Sequence, residues 1–166
     1  MVWTTFKVGV LFALGLVTGG CGFFAREEAP VDFWQPVVDP QEQRLAYIAK
    51  GDKTYALFVL NLAEGTERLL VQMDRDIVYP SWSPDGDKLA FMGIQEKDNW
   101  DIFVVEVATR SLFRVTTDPA VDANPSWTAS GSIVFNSNRG GRWAAFLVNP
   151  DGTGLRRLSF DRSTKP

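Results

Sequence analysis

The motif Pro80-Ser81-Trp82-Ser83-Pro84-Asp85-Gly86 recurs 45 residues later as Pro125-Ser126-Trp127-Thr128-Ala129-Ser130-Gly131. A second anchor keeps nearly the same interval: Leu89-Ala90-Phe91 corresponds to Ile133-Val134-Phe135, 44 residues further on, and Leu45-Ala46-Tyr47 lies 44 residues before it. A period of this length marks a repeat architecture, in which each unit is one supersecondary element that needs neighbours to bury its faces.

Three such units fill residues 36–161, and each contains four short β-branched or aromatic runs separated by turn-forming residues. Pro84-Asp85-Gly86 supplies a fixed φ and then a residue that tolerates positive φ, as tight hairpins require. Four antiparallel strands in about 44 residues are typical of one propeller blade. We therefore predict an all-β fold: a partial, three-blade β-propeller of four-stranded antiparallel sheets, with blades at residues 36–79, 80–122 and 123–161.

These units resemble the TolB-like β-propeller repeat, whose pattern includes Pro-x-Trp-Ser-Pro-Asp-Gly, Asp-Ile-Tyr-Val and Arg-Leu-Thr. The second unit carries Asp101-Ile102-Phe103-Val104 and Arg114-Val115-Thr116, and the third carries Arg157-Leu158-Ser159. The first unit departs from the pattern, with Val38 at the Trp position and Gln41-Glu42 in place of Asp-Gly. The pattern's strand-three Asp is kept in the second unit alone. The resemblance implies blades like those of closed six-blade rings.

The N-terminal segment has the features of a bacterial lipoprotein signal. Residues 8–17 form an apolar run that is too short to span a bilayer and has the length of a signal-peptide core. The segment Gly19-Gly20-Cys21 follows closely and resembles a lipoprotein processing site. We therefore predict a lipoprotein-type signal peptide at residues 1–20, lipidation of Cys21, and an extended tether at residues 21–35 that precedes the blades.

Composition argues against several functional classes. The chain has 17 basic and 20 acidic residues, and its net charge of −3, without a basic stripe, argues against nucleic-acid binding. It contains no His, so neither a Ser-His-Asp triad nor a His-based metal site is possible. Asp85, Asp87, Asp98 and Asp101 are better explained by turns and loops than by a calcium site. We predict no catalytic residues, no metal and no cofactor.

Six residues are candidates for an interaction site: Tyr79, Asn124, Trp100, Arg139, Arg142 and Trp143. The first two just precede their Trp-containing motifs and are expected to face the ring axis and line a central tunnel. The two Trp residues lie where a loop enters the third strand, and they serve either in edge packing or as a platform for carbohydrate or peptide. The two Arg residues share a Gly-rich loop and could pair with acidic groups of a partner. For Arg139, hydrogen bonding within its own blade is the alternative.

Three blades are fewer than the four or more that propellers generally need. Both end blades are therefore expected to present an apolar face, lined by residues of the same type as Trp82 and Phe91, which monomers rarely leave in water. Phe33-Trp34 are expected to cap such a face, and contact with lipid headgroups is the alternative. We expect either a second copy that closes a three-plus-three ring or an envelope protein that covers the ends. An open stack and a remnant of a longer propeller are the remaining possibilities.

These features together predict a non-catalytic protein that is exported and lipid-anchored in the bacterial cell envelope, in the periplasm or on the outer face. Its blades are expected to mediate protein–protein interaction within a membrane-associated complex or a homodimer. The competing hypothesis is a propeller that binds carbohydrate or peptidoglycan fragments, with Trp100 and Trp143 as platforms.

Overall fold

The computed structural model describes residues 32–51, 54–94 and 99–158, which belong to one compact unit. All regular secondary structure in these residues is β-strand, arranged in three four-stranded antiparallel sheets. The predicted all-β, three-blade fold is thereby confirmed. No helix in this part of the chain is long and apolar enough to cross a membrane. The predicted signal peptide, Cys21 and most of the predicted tether lie outside the described residues.

Each blade uses four consecutive strands in simple up-and-down order, because antiparallel neighbours can be joined by short hairpins. The first blade contains β1 (Asp32–Val38), β2 (Arg44–Lys50), β3 (Tyr55–Asn61) and β4 (Glu67–Met73). The second blade contains β5 (Ile77–Trp82), β6 (Lys88–Ile94), β7 (Trp100–Glu106) and β8 (Leu112–Arg114). The third blade contains β9 (Asp122–Trp127), β10 (Ile133–Ser137), β11 (Ala144–Val148) and β12 (Arg156–Arg157). The first strands of consecutive blades lie next to each other.

Side chains on each strand alternate between two faces of the blade. One face carries a stacked aromatic pair, contributed by the second and third strands at the same register position in every blade: Tyr47–Phe58, Phe91–Phe103 and Phe135–Phe146. The ring centroids of these pairs are 5.6, 5.5 and 5.9 Å apart. We call this the rear face of a blade, and the opposite one its forward face.

The forward face of each of the first two blades packs against the rear face of the next blade. At the first interface, Ala46 and Leu57 meet Phe91 and Phe103, and all four are at most 1% exposed. The second interface repeats this arrangement around Phe135. Burial of one Leu or Phe side chain contributes roughly 1.5–3 kcal/mol. Contacts between consecutive blades therefore contribute strongly to the stability of the fold.

The second and third blades each use one Trp side chain to bind the preceding blade. The indole Nε1–H of Trp82 donates to the carbonyl oxygen of Val37 at 3.0 Å, and that of Trp127 donates to the carbonyl oxygen of Ser81 at 3.0 Å. Both Trp residues therefore pack at the interfaces between blades. In the first blade, Val38 occupies the equivalent position and is 50% exposed.

A short polar side chain closes the turn after each inner strand. In the second blade, Ser83 Oγ accepts the Lys88 N–H at 2.9 Å and donates to the Asp85 carboxylate at 2.6 Å. The Ser83 hydrogen bond holds the pKa of Asp85 below its usual value. In the first blade, the Asp39 carboxylate accepts the Arg44 N–H at 2.9 Å. Burial acts to raise the pKa of Asp39, but hydrogen bonds from Arg44 outweigh it, and the pKa lies below its usual value.

The inner strands begin earlier than the sequence pattern predicts. β1 begins at Asp32 and β5 at Ile77, whereas the predicted blades start at Pro36 and Pro80. Residues 32–35, assigned to the tether, therefore lie in β1. The predicted boundaries come from the repeated motif, which begins at Pro80 and is matched by Pro36. Each instead sits at a bulge, where the pairing register shifts and no N–H is needed.

Candidate functional site

Three residues at the bulges of the inner strands lie in one cleft. Gln35, Tyr79 and Asn124 occupy the same position in β1, β5 and β9, each directly before a Pro. With their neighbours they line a cleft of about 270 Å³. We call these three residues the inner rim. The structure thus brings Tyr79 and Asn124 together, and it adds Gln35. Sequence reasoning missed Gln35, although it lies one repeat interval before Tyr79.

The backbone of the inner rim is strained. The φ angles of Gln35, Tyr79 and Asn124 are 52°, 55° and 54°. This left-handed region is uncommon for residues other than Gly, and a residue before Pro normally has an extended backbone. Such a conformation costs on the order of 1–3 kcal/mol per residue and is held by its surroundings. The Tyr79 N–H donates to the Gln35 side-chain oxygen, and the Tyr79 ring remains 50% exposed. The inner rim therefore presents polar and aromatic groups in a fixed arrangement.

Each blade contains an ion pair whose carboxylate is fully buried. The shortest N···O distances are 2.8, 2.7 and 2.8 Å in the three pairs: Asp39–Arg44, Asp101–Arg114 and Asp122–Arg139. Sequence analysis identified only the strand-three Asp of the second blade. It missed the other two carboxylates, which come from a turn and from an inner strand.

Asp101 lies at the centre of the second pair and is inaccessible to solvent. It accepts hydrogen bonds from Arg114 Nη2 at 2.7 Å and from Thr116 Oγ1 at 3.3 Å. Burial raises the pKa of Asp101, and nearby Asp122 adds to the rise, whereas Arg114 and Thr116 oppose it. In the described part of the chain, every buried side-chain nitrogen or oxygen has a hydrogen-bond partner. These buried charges are therefore satisfied within the blades.

Arg139 is held by its own blade. Its Nη2 donates to both oxygens of Asp122, at 3.0 and 2.8 Å, and its Nε donates to Ser137 Oγ at 3.0 Å. The guanidinium also lies 5.6 and 5.0 Å from the ring centroids of Phe135 and Phe146. This placement favours hydrogen bonding within the blade over pairing with a partner as the role of Arg139, and the acceptors are the side chains of Asp122 and Ser137. Its neighbour in the loop, residue 142, is exposed.

The two candidate platform Trp residues differ in exposure. Trp143 is 58% exposed, just before β11. Trp100 begins β7, pairs with Ile94 across the sheet and is partly buried. No ring contact joins the two indoles, both of which lie in described segments. The structure therefore does not bring them into a shared aromatic platform.

The acidic residues weighed as a calcium site do not form one group in the described chain. No cluster of three or more His, Cys, Asp or Glu residues that could hold a metal ion occurs in residues 32–51, 54–94 and 99–158. Asp85 is engaged by Ser83 Oγ and the Asp87 N–H in its own turn. Asp98 lies outside the described residues.

The forward faces differ between the blades at four equivalent positions on the second and third strands. In the first two blades these side chains are at most 7% exposed: Ala46, Ile48, Leu57 and Val59, then Ala90, Met92, Ile102 and Val104. In the third blade they are partly or fully exposed: Val134, Asn136, Ala145 and Leu147.

This comparison corrects the expectation of two open faces lined by large apolar residues. On the third blade, the forward face is only partly apolar, because Asn136 replaces Met92 and Ala145 replaces Ile102. On the first blade, Tyr47 of the rear face is only 4% exposed. The two ends of the stack are therefore unlike each other.

Three stacked antiparallel sheets, Trp hydrogen bonds between blades and a strained inner rim define a β-propeller repeat protein. The family model described as "TolB beta propeller domain" matches residues 26–165, and the chain belongs to this family. The resemblance expected from the repeated motif is thereby confirmed.

Three known proteins are similar to this chain in sequence or in fold. An uncharacterized protein of Agrobacterium fabrum is 28% identical over 105 residues, which cover 63% of this chain and 35% of that protein. The crystal structure of TolB from Acinetobacter baumannii aligns with a TM-score of 0.70 and 25% identity, covering 79% of this chain and 33% of that one. A puromycin-hydrolyzing peptidase of Mycobacterium tuberculosis aligns with a TM-score of 0.64 and 14% identity, covering 78% and 22%. The chain thus spans about a third of the length of the first two relatives, and the third shows the fold alone.

Proposed function

We propose that this protein is a non-catalytic component of the bacterial cell envelope whose blades form a docking module for another protein. The forward face of the third blade is the observation that carries this proposal. Val134, Ala145 and Leu147 occupy positions that are buried by the next blade elsewhere in the chain. Full burial of an exposed Leu side chain contributes roughly 1.5–3 kcal/mol, so a partner that covers the partly exposed Leu147 would recover less than this, before the cost of association.

An envelope protein fits this face better than a second copy of the chain does. Both internal interfaces use an indole N–H of the next blade, from Trp82 and from Trp127. The first blade of a second copy would offer Val38 at that position and could not repeat the hydrogen bond. Asn136 also requires a polar partner when it is covered, because an unsatisfied buried amide costs about 1–3 kcal/mol. We therefore favour a heteromeric contact over the three-plus-three ring.

The lipid anchor and the absence of catalysis rest on the sequence. Cys21 is the single Cys of the chain and directly follows the apolar signal-like segment. Several acyl chains on a processed lipoprotein would hold the module at a membrane surface, whereas one chain binds only marginally. The lack of His removes the commonest general base. The peptidase that shares the fold supports no activity for this chain.

The test compares two single substitutions in a native-mass measurement. The mature protein is measured alone and after mixing with detergent-solubilised envelope membranes. We expect one stoichiometric complex with the unmodified protein, its loss in Leu147→Asp, and its retention in Leu112→Asp, because Leu112 is 45% exposed on β8, outside the forward face. No complex, or equal loss in both variants, would refute docking at the third blade.

A carbohydrate-binding function remains the second candidate because Trp143 presents an exposed indole. It predicts affinity for muropeptides or glycans that disappears in Trp143→Ala without loss of folding. Isothermal titration with peptidoglycan fragments measures this directly. Absence of binding by the unmodified protein would eliminate the candidate.

A further inference from the structure

One row of directly opposed residues crosses all four strands on the forward face of each blade. Residues that face each other in an antiparallel pair lie on the same side of the sheet, and the register aligns four such positions in every blade. We call these the first, second and third cross-strand rows: Val37–Ala46–Val59–Arg68, Ser81–Ala90–Val104–Phe113 and Ser126–Val134–Leu147–Arg156. In the first two rows the central residues are at most 6% exposed, because the next blade covers them. In the third row all four residues are partly or fully exposed.

The inner end of each of the first two rows binds an indole of the next blade. Trp82 Nε1–H donates to the carbonyl oxygen of Val37, and Trp127 Nε1–H donates to that of Ser81, each at 3.0 Å. The residue at this position of the third row is Ser126, which is exposed. Its carbonyl oxygen is therefore the acceptor that the indole of a further blade would use.

The outer end of each of the first two rows contacts the turn between the third and fourth strands of the next blade. Arg68 Nη2 donates to the carbonyl oxygen of Ala108, in the turn between β7 and β8, at 2.8 Å. Phe113 lies against the equivalent turn between β11 and β12, where a Cβ added at Gly152 would be 3.8 Å from its ring. Arg156 occupies the same position in the third row and is exposed. As at the first interface, the guanidinium is a donor that requires an acceptor on the next sheet.

The third row therefore repeats both polar contact points of the internal interfaces. Neighbouring strands lie about 4.8 Å apart, so the two ends of a row are about 15 Å from each other. Between these ends lie Val134 and Leu147, in the places that a following blade buries at the two internal interfaces. The surface that fits all of these positions within this chain is the rear face of a blade, with an indole at its inner strand and a turn at its outer side.

We propose that the partner docks on the third row as a fourth blade, and that it is an envelope protein with propeller blades of its own. The partner donates an indole N–H to the Ser126 carbonyl oxygen and offers a backbone carbonyl oxygen to the Arg156 guanidinium. A second copy of this chain has Val38 in place of that indole on its first blade. The inference rests on the proposed docking at the third blade and specifies the class of partner.

Two neighbouring Arg residues provide a matched test of the outer contact. Arg156 and Arg157 are both exposed, but Arg157 is opposite Phe146 and therefore lies on the rear face. The mature protein is titrated with detergent-solubilised envelope membranes, and the complex is quantified by native mass spectrometry. We expect Arg156→Met to weaken the complex about 10- to 100-fold, as the loss of a hydrogen bond from a charged donor does, and Arg157→Met to leave it within about twofold.

Photo-crosslinking tests the inner contact and identifies the class of partner. A photoreactive phenylalanine analogue is placed at position 126 of the full chain in cells, and the crosslinked peptide is sequenced. We expect a β-strand of a propeller protein that contains a Trp. Replacement of that Trp by Phe in the partner should weaken the complex about 2- to 10-fold, because one neutral hydrogen bond is lost.

The outcomes separate this inference from the docking on which it rests. If Leu147→Asp abolishes the complex but Arg156→Met binds as tightly as the unmodified protein, docking stands and the fourth-blade arrangement is overturned. An adduct from position 126 to a helix, to a segment without Trp or to this chain itself would also overturn it. If the unmodified protein forms no complex, the docking and this inference are both refuted.

Discussion

Removal of the Arg139 side chain should destabilise the third blade far more than removal of its neighbour in the same loop. Asp122 is inaccessible to solvent, and Arg139 is the guanidinium that neutralises it, through two hydrogen bonds of 3.0 and 2.8 Å. Loss of one partner from a buried ion pair typically costs about 3–5 kcal/mol, because the other charge is left without compensation. Lost contacts between the guanidinium and the rings of Phe135 and Phe146 add to this cost.

The substitution Arg139→Met keeps most of the side-chain volume while removing the charge. A loss of 3–5 kcal/mol corresponds to a fall in Tm of roughly 10–25 °C for a domain of this size. The control Arg142→Met removes the same charge from an exposed position and should change stability by no more than about 0.5 kcal/mol. Urea denaturation followed by Trp fluorescence measures both variants.

The single variant Asp122→Asn and the double variant Asp122→Asn/Arg139→Met complete a double-mutant cycle. Because Asp122→Asn removes the uncompensated carboxylate, the double variant should recover part of the stability that Arg139→Met loses. Equal stability of the Arg139→Met and Arg142→Met variants would refute the structural role of Arg139. It would return this residue to the set of candidates for partner binding.

Three further substitutions test other contacts. Trp127→Phe removes the indole hydrogen bond to the Ser81 carbonyl and should lower the free energy of unfolding by about 0.5–1.5 kcal/mol, as measured by urea denaturation. An unchanged urea midpoint would contradict a stabilising role for this hydrogen bond. Gly86→Ala should lower the Tm more than Gly131→Ala does. Both residues have positive φ, but of the two only Gly86 has side chains in the way of an added Cβ, which would lie 2.6 Å from Arg44 Nη2. Equal losses of Tm would count against that contact. Burial raises the pKa of Tyr47, so the folded state keeps the phenolic proton while the unfolded chain loses it above about pH 10. Stability should therefore fall above that pH, and less steeply in Tyr47→Phe, as followed by urea titrations between pH 8 and 11; parallel curves would contradict the assignment.

The sequence was sufficient for the features that repeat. The Trp82 and Trp127 motifs placed the inner strands and their packing, because the same side chain meets the same neighbour in successive blades. The interval between Tyr79 and Asn124 likewise placed two residues of the inner rim. Residues that recur at the same position in successive blades therefore make equivalent contacts in the structure.

Features that differ from blade to blade could not be predicted in this way. The partner of Arg139 is Asp122 of the inner strand, whereas the partner of Arg114 is Asp101 of the third strand. An alignment of the repeats compares the same position in each blade, so it does not identify a carboxylate that comes from a different strand. The left-handed φ of the residues before Pro36, Pro80 and Pro125 also contradicts local preference, and the bulges of the inner strands accompany it.

The sequence pattern also did not predict the burial of Tyr47. The repeat predicts that an end blade leaves its aromatic pair open, since the pattern describes only contacts between blades. In the structure this side chain is 4% exposed at one end of the stack, while Leu147 at the other end is partly exposed. The two ends of the stack therefore differ in the exposure of their side chains.

Site-specific photo-crosslinking at the forward face of the third blade tests the central claim most directly. A photoreactive phenylalanine analogue at position 147 is irradiated in intact cells, with position 112 on β8 as the control. Docking of an envelope partner predicts a single discrete adduct from position 147, to a protein other than this chain, and none from position 112. No adduct from position 147, or the same adducts from both positions, would contradict the account.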